Sequence, residues 1–228
     1  VLTRFVRKGK DIEERFIGNA YMFTPEERKA LLHITTDAPE PQELTAKYYS
    51  RVQGMDDVTK MQYLDLHLWM TGDILLKADK MSMAHSLELR VPFLDKEVMQ
   101  VAQRIPTKYR VTRKARTDEH TPYVTKYAMR LAAKQDTPEE TAKTAAKKKL
   151  GFPVPIRVWL REEKYYNIVK AIFTGEAAEQ FFHTQKLMAL LDAHRDGKAD
   201  NSRKIWTVLM FLVWYEVYFG KGVLWNVK

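Results

Sequence analysis

The sequence predicts an all-α chain, and three observations carry that expectation. From Phe23 onward apolar residues recur at three- and four-residue steps in a background rich in Ala, Leu, Met, Lys, Glu and Gln, the pattern of packed amphipathic helices. Runs of alternating apolar and polar residues, which a half-buried strand needs, are nearly absent. The 228 residues, 45% apolar and 29% charged, can bury a real core.

Taken in order, the opening residues Arg4, Arg7, Lys8, Gly9 and Lys10 show no period and read as a loop. Thr24-Pro25-Glu26-Glu27 is a helix start with Pro at the first helical position, and the Pro-rich break 36–44 precedes the next helix. A helix is predicted from Asp73, ending near Glu88 to Arg90 because Pro92 disfavours helical geometry at Val91. Asp95 can cap a helix through residues 96–105 that Pro106 terminates, and the polar stretch 111–124 reads as loop. Thr137-Pro138-Glu139-Glu140 repeats the first helix start, Pro153 and Pro155 lead into a helix from Ile156, and Ser202 is a cap candidate for an apolar final helix. Its run from Ile205 to Tyr215, closed by Glu216, is too short for the roughly 20 residues of a membrane span and reads as a buried helix. No repeat and no sharp composition shift divides the chain, so 1–228 is taken as one helical region.

Composition narrows the function classes. Lys plus Arg outnumber Asp plus Glu by 38 to 29, a net +9 that suits an anionic ligand or partner without choosing one. The absence of cysteine excludes disulfides, thiolate metal sites and cysteine nucleophiles, and is compatible with a cytoplasmic location. No signal peptide is legible and no membrane partner is expected. The chain opens on Val1 rather than Met, so a piece of something longer is expected.

Two stretches carry candidate chemistry. In "KADKMSMAHSLELRVPFLD", residues 77–95, Asp79, Lys80, His85, Glu88 and Arg90 are strung through an otherwise apolar segment. On a helix at about 100° per residue, Asp73, Lys77, Lys80, Ala84 and Glu88 share a stripe roughly 80° wide, with apolar residues on nearly every other side. Such a stripe either forms ion pairs, such as Asp73 with Lys77, or lines a solvent-filled cleft. In "AAKKKLGFPVPIRVWL", residues 145–160, three lysines precede Gly151, Pro153 and Pro155. A lysine on a pre-shaped loop can aim a point charge at phosphate oxygens; the other reading is a solvated basic run.

With "TKYAMR" and "ERFIGNAYMF", these blocks make the chain resemble, in order and over most of its length, the C-terminal part of the glutamine-hydrolysing asparagine synthetases. The resemblance implies an enzyme that adenylates aspartate with ATP and Mg, lets glutamine-derived ammonia displace AMP, and releases pyrophosphate. It implies that this chain is the helical layer of an ATP-pyrophosphatase-like domain whose nucleotide-binding sheet lies elsewhere, with the N-terminal part of the same protein as its partner. That family's glutaminase nucleophile is a cysteine and its phosphate loop uses adjacent glycines; here there is no cysteine, and none of the nine glycines has a glycine neighbour. By resemblance Lys149 matches the lysine used against the ATP phosphates and Glu88 an acid on the wall of the synthetase site, both catalytic. Asp79, Lys80 and Arg90 become substrate-side candidates, and no metal ligand is assigned. The chain alone is expected to be inactive. The competing class is a basic helical module docking nucleic acid or a protein partner, but acidic residues are interleaved nearly throughout, against the one-sided basic face that nucleic acid requires. A helical scaffold without any site is the third reading.

Overall fold

A computed structural model describes residues 11–18, 21–113, 123–147 and 154–220. In chain order the helices are α1 (Ile12–Arg15), α2 (Pro25–Leu31), α3 (Pro41–Tyr49), α4 (Asp57–Asp65), α5 (Leu76–Met83), α6 (Lys96–Arg104) and α7 (Thr107–Arg110). They continue as α8 (Tyr127–Asp136), α9 (Glu139–Ala146), α10 (Ile156–Trp159), α11 (Glu163–Phe173), α12 (Glu176–Phe181), α13 (Thr184–Arg195) and α14 (Ser202–Tyr218). A π-helical run, Leu66–Leu75, joins α4 to α5 without a break.

The fold is mostly helical, as expected, with one exception. Within 111–124, read as loop, the strands β1 (Val111–Arg113) and β2 (Tyr123–Thr125) pair antiparallel, Thr112 opposite Val124. Three residues per strand are too few to display an alternating pattern, so the hairpin left no periodic signal. The expected opening loop and the Gly151-Pro153 turn lie outside the described residues.

The chain forms two compact units, one from Val1–Ala20 and Pro39–Leu150, the other from Tyr21–Ala38 and Gly151–Lys228. Composition does not mark this division because both units are helical and each is assembled from two separated stretches.

In the first unit a small core of Tyr49, Val52 and Leu64 is flanked by Phe16, Tyr48, Tyr63 and Leu68. Its helices are tied by polar contacts: Lys60 to Glu13 at 2.7 Å, Arg15 to Asp57 at 3.1 Å, and Arg110 to the side chains of Gln62 and Thr59, each at 2.7 Å. Asp56 caps α4 by accepting from the Val58 and Thr59 amides, and Asp95 caps α6 through Glu97 and Val98, as its position predicts.

The second unit holds the larger core, which includes Leu31, Phe173, Leu187, Leu191, Ile205 and Leu212. Helix α2 starts on a full capping box: the Glu27 amide donates to Thr24 Oγ1 and the Thr24 amide donates to Glu27 Oε2. Its C-terminus docks through backbone bonds, His183 N–H to Leu31 O at 2.9 Å and His33 N–H to Phe181 O at 3.0 Å. Helix α14 buries Ile205, Val208, Leu209 and Leu212 at three- and four-residue steps, yet leaves Trp206, Met210, Trp214 and Val217 exposed. The expectation of a buried helix therefore holds for one face only.

Two cap assignments are corrected. Thr137 does not start α9; its hydroxyl donates to Ala133 O at the end of α8, and α9 begins after Pro138. Ser202 is the first residue of α14 rather than its cap, and Asp200 accepts from both its amide and its hydroxyl. Behind that turn sits His194, fully buried, with Nε2 3.0 Å from Arg157 O and Nδ1 receiving the Asn201 amide at 3.3 Å. The carbonyl must accept, so Nε2 carries a proton in this arrangement.

Candidate functional site

The polar stripe is only partly as the helical wheel predicts. Asp73 lies in the π-helical run and Lys77 in α5, and their ion pair closes at 3.5 Å with both side chains largely solvent-facing. The ion-paired reading of this helix is thus realised. A π-helical run turns more slowly per residue than an α-helix and is often found at functional sites, so a single 100° wheel does not apply across Leu75.

The helix ends at Met83, not near Glu88 to Arg90. Ser86 takes a left-handed conformation, φ 54°, and the Leu87 amide folds back onto Ser82 O at 2.9 Å. That turn ends the helix several residues before Pro92 could act. Glu88 and Arg90 therefore lie beyond the helix on chain without regular secondary structure, paired to each other at 2.8 Å and exposed. Asp79 and Lys80 are exposed on α5, where the Asp79 carbonyl accepts from Ser82 Oγ. Four of the five candidate residues thus share one solvent-facing segment. The fifth, Lys149, lies outside the described residues, although the chain on both sides of it is described.

The surroundings of this segment correct a second expectation. Its apolar side chains do not pack inside a helical layer: Leu76, Met81, Met83, Leu87, Leu89 and Phe93 are each half or more exposed, Phe93 reaching 68%. Apolar side chains exposed along one segment in this way form a candidate interaction surface.

The described residues do not by themselves fit Mg-ATP. Among them no three His, Asp or Glu side chains gather as metal ligands, and the sequence holds no adjacent glycines to form a phosphate-binding turn. Two concavities, of about 290 and 390 Å³, lie in the second unit and include none of the candidate residues. Among the described residues no helix is long and apolar enough to cross a membrane.

The described residues thus form a mostly helical chain in which charged and apolar side chains share one exposed segment. The family model described as asparagine synthase matches residues 4–216, and the chain belongs to that family. It is 44% identical to an asparagine synthetase [glutamine-hydrolyzing] 1 of Bacillus subtilis over 210 residues, 92% of this chain and 31% of that protein. It is 39% identical over 213 residues to putative asparagine synthetases [glutamine-hydrolyzing] of Mycobacterium bovis and Mycobacterium tuberculosis, covering 93% of this chain and 31% of theirs. The chain thus spans about a third of the length of these relatives. No solved structure matches it.

Proposed function

We propose that this chain is the helical portion of the synthetase domain of a glutamine-hydrolysing asparagine synthetase. The intact enzyme would join aspartate to glutamine-derived ammonia through an acyl-adenylate, releasing AMP and pyrophosphate, with the ATP cradle and its Mg supplied by the rest of the protein. The observation that carries this reading is the exposed segment from Leu76 to Phe93, where uncovered apolar side chains alternate with Asp79, Lys80, Glu88 and Arg90. The relatives extend far beyond the matched region, and a counterpart of that remainder in the same protein would cover the row. Docking there would bury the apolar row and draw the charged groups to the rim of a cleft.

In that cleft Lys149 would offset negative charge building on the pyrophosphate leaving group and on the tetrahedral oxyanion. Glu88, with the Arg90 guanidinium as counter-charge, would accept a proton from attacking ammonia. Asp79, Lys80 and Arg90 would line the substrate side. The nucleic-acid reading is disfavoured by pairing within the chain: Lys143 is held by Glu139 and Glu140, Lys198 by Asp196, and Lys204 by Glu27, which leaves fewer free cations for phosphates.

The test is product stoichiometry. The intact protein with ATP, Mg, glutamine and aspartate should yield asparagine, AMP and pyrophosphate in equal amounts, and other small carboxylates should compete poorly. Pyrophosphate release indifferent to aspartate would overturn the substrate assignment.

A further inference from the structure

The chain leaving α2 and the chain entering α13 meet in an isolated antiparallel bridge, Leu32 opposite Phe182. Two backbone bonds close it, His33 N–H to Phe181 O at 3.0 Å and His183 N–H to Leu31 O at 2.9 Å. Successive side chains of extended chain point to opposite faces. Leu32 and Phe182 pack on the core of the second unit, so His33 and His183 share the outer face as diagonal neighbours. Their ring centres lie 5.9 Å apart at an interplanar angle of 48°, and both residues are exposed. Among the described residues no hydrogen bond or ion pair holds either ring, and the terminal side-chain torsion of histidine is broad. Each imidazole can therefore turn a ring nitrogen toward the other.

We propose that His33 and His183 form a two-imidazole site for a divalent transition metal ion of the zinc, nickel or copper type. Imidazole suits these ions, whereas magnesium and calcium prefer oxygen ligands. With metal–nitrogen bonds of about 2.0–2.1 Å, two imidazoles on one ion have ring centres roughly 4.5–6.4 Å apart, from a right-angled to a linear arrangement. The observed spacing falls inside that window, so rotation of the side chains is enough to close the site. The two backbone bonds hold the histidines in place before an ion arrives, which lowers the ordering cost of binding. No three His, Asp or Glu side chains gather among the described residues, so water completes the coordination shell and the ion exchanges readily. Bound there, it clips together two stretches far apart in sequence, the kind of closure that stabilises a fold most.

The experiment titrates the intact protein, without ATP or magnesium, with zinc chloride by calorimetry, and records thermal melts with and without the metal. The parent is compared with His33→Ala, His183→Ala, the double variant and His67→Ala. His67 is exposed and belongs to the first unit, so its variant reports adventitious binding to a surface imidazole. The expected result is saturable zinc binding that weakens at least about tenfold in either single variant, since even groups that only hydrogen-bond a metal ligand cost roughly 10–100-fold when changed. The double variant should be little worse than either single one, because one imidazole left alone no longer chelates. Zinc at about a hundredfold over its Kd should raise the melting temperature of the parent by about 5–10 °C, and that of the single variants by clearly less. Both side chains are in solvent, so metal-free melts of the variants should match the parent, which separates lost chelation from lost folding. Zinc binding and stabilisation unchanged in His33→Ala and His183→Ala would overturn the proposal, as would an equal loss in His67→Ala.

Discussion

Glu27 makes two links in the second unit through one carboxylate: it accepts from the Thr24 amide, which closes the capping box of α2, and it receives Lys204 of α14. The Lys204 ammonium first, and the Thr24 amide second, hold its carboxyl below the usual glutamate range. The unfolded chain, with a carboxyl near 4.3, binds that proton more readily than the folded one. The stabilisation is therefore fully present above about pH 4.3 and is lost as pH falls further through the depressed folded value. Thermal melts between pH 7 and pH 3 should show Glu27→Gln less stable than the parent at neutral pH, and the difference should shrink in acid. A pH-independent difference would mean that the ion pair contributes nothing. Thr24→Ala should cost about 1 kcal/mol, the usual loss for an N-cap hydroxyl, read from denaturant midpoints.

At the scale of elements, the starts of α2 and α6 were legible, whereas the end of α5 was not. Thr24 and Asp95 accept from amides two or three residues away, so sequence alone contains them. The end of α5 is set by the left-handed turn at Ser86, a residue with no special licence for that conformation, and Pro92 drew the expected boundary too far along. The π-helical run before α5 was equally hidden, because nothing in its composition distinguishes it from an α-helix. Helix α14 separates its faces by burial. Leu212→Ala should cost about 2–5 kcal/mol because the side chain is fully buried, whereas Trp214→Ala, 48% exposed, should cost less than about 1 kcal/mol. Equal losses at the two positions would contradict the face assignment.

At the scale of the whole molecule, apolar sequence was read as burial within the chain, and the row from Leu76 to Phe93 is exposed instead. Periodicity reports that a surface is apolar, not which chain covers it. The candidate residues were legible as residue types and blocks, whereas the exposure of Asp79, Lys80, Glu88 and Arg90 was not, because sequence does not show what covers a segment. If that row docks against the rest of the protein, Phe93→Ser should leave the melting of the isolated chain within about 0.5 kcal/mol, since the side chain is already in solvent. The same change should destabilise the intact protein and lower its synthetase rate. The isolated chain should bind Mg-ATP only weakly and in a salt-sensitive way, as basic side chains without a phosphate-binding turn offer little preorganisation; titration calorimetry reads this directly.

The most direct test of the synthetase assignment is the ratio of pyrophosphate release to glutamate formation in the intact protein carrying Lys149→Ala. Loss of one preorganised cation from the transition state should lower synthetase turnover by on the order of a hundredfold or more, while glutamine hydrolysis continues. Lys149→Arg should recover only part of the rate, because a guanidinium is longer and donates in a different geometry. Pyrophosphate release at the parent rate from Lys149→Ala would make the lysine run a solvated basic stretch and would contradict the account.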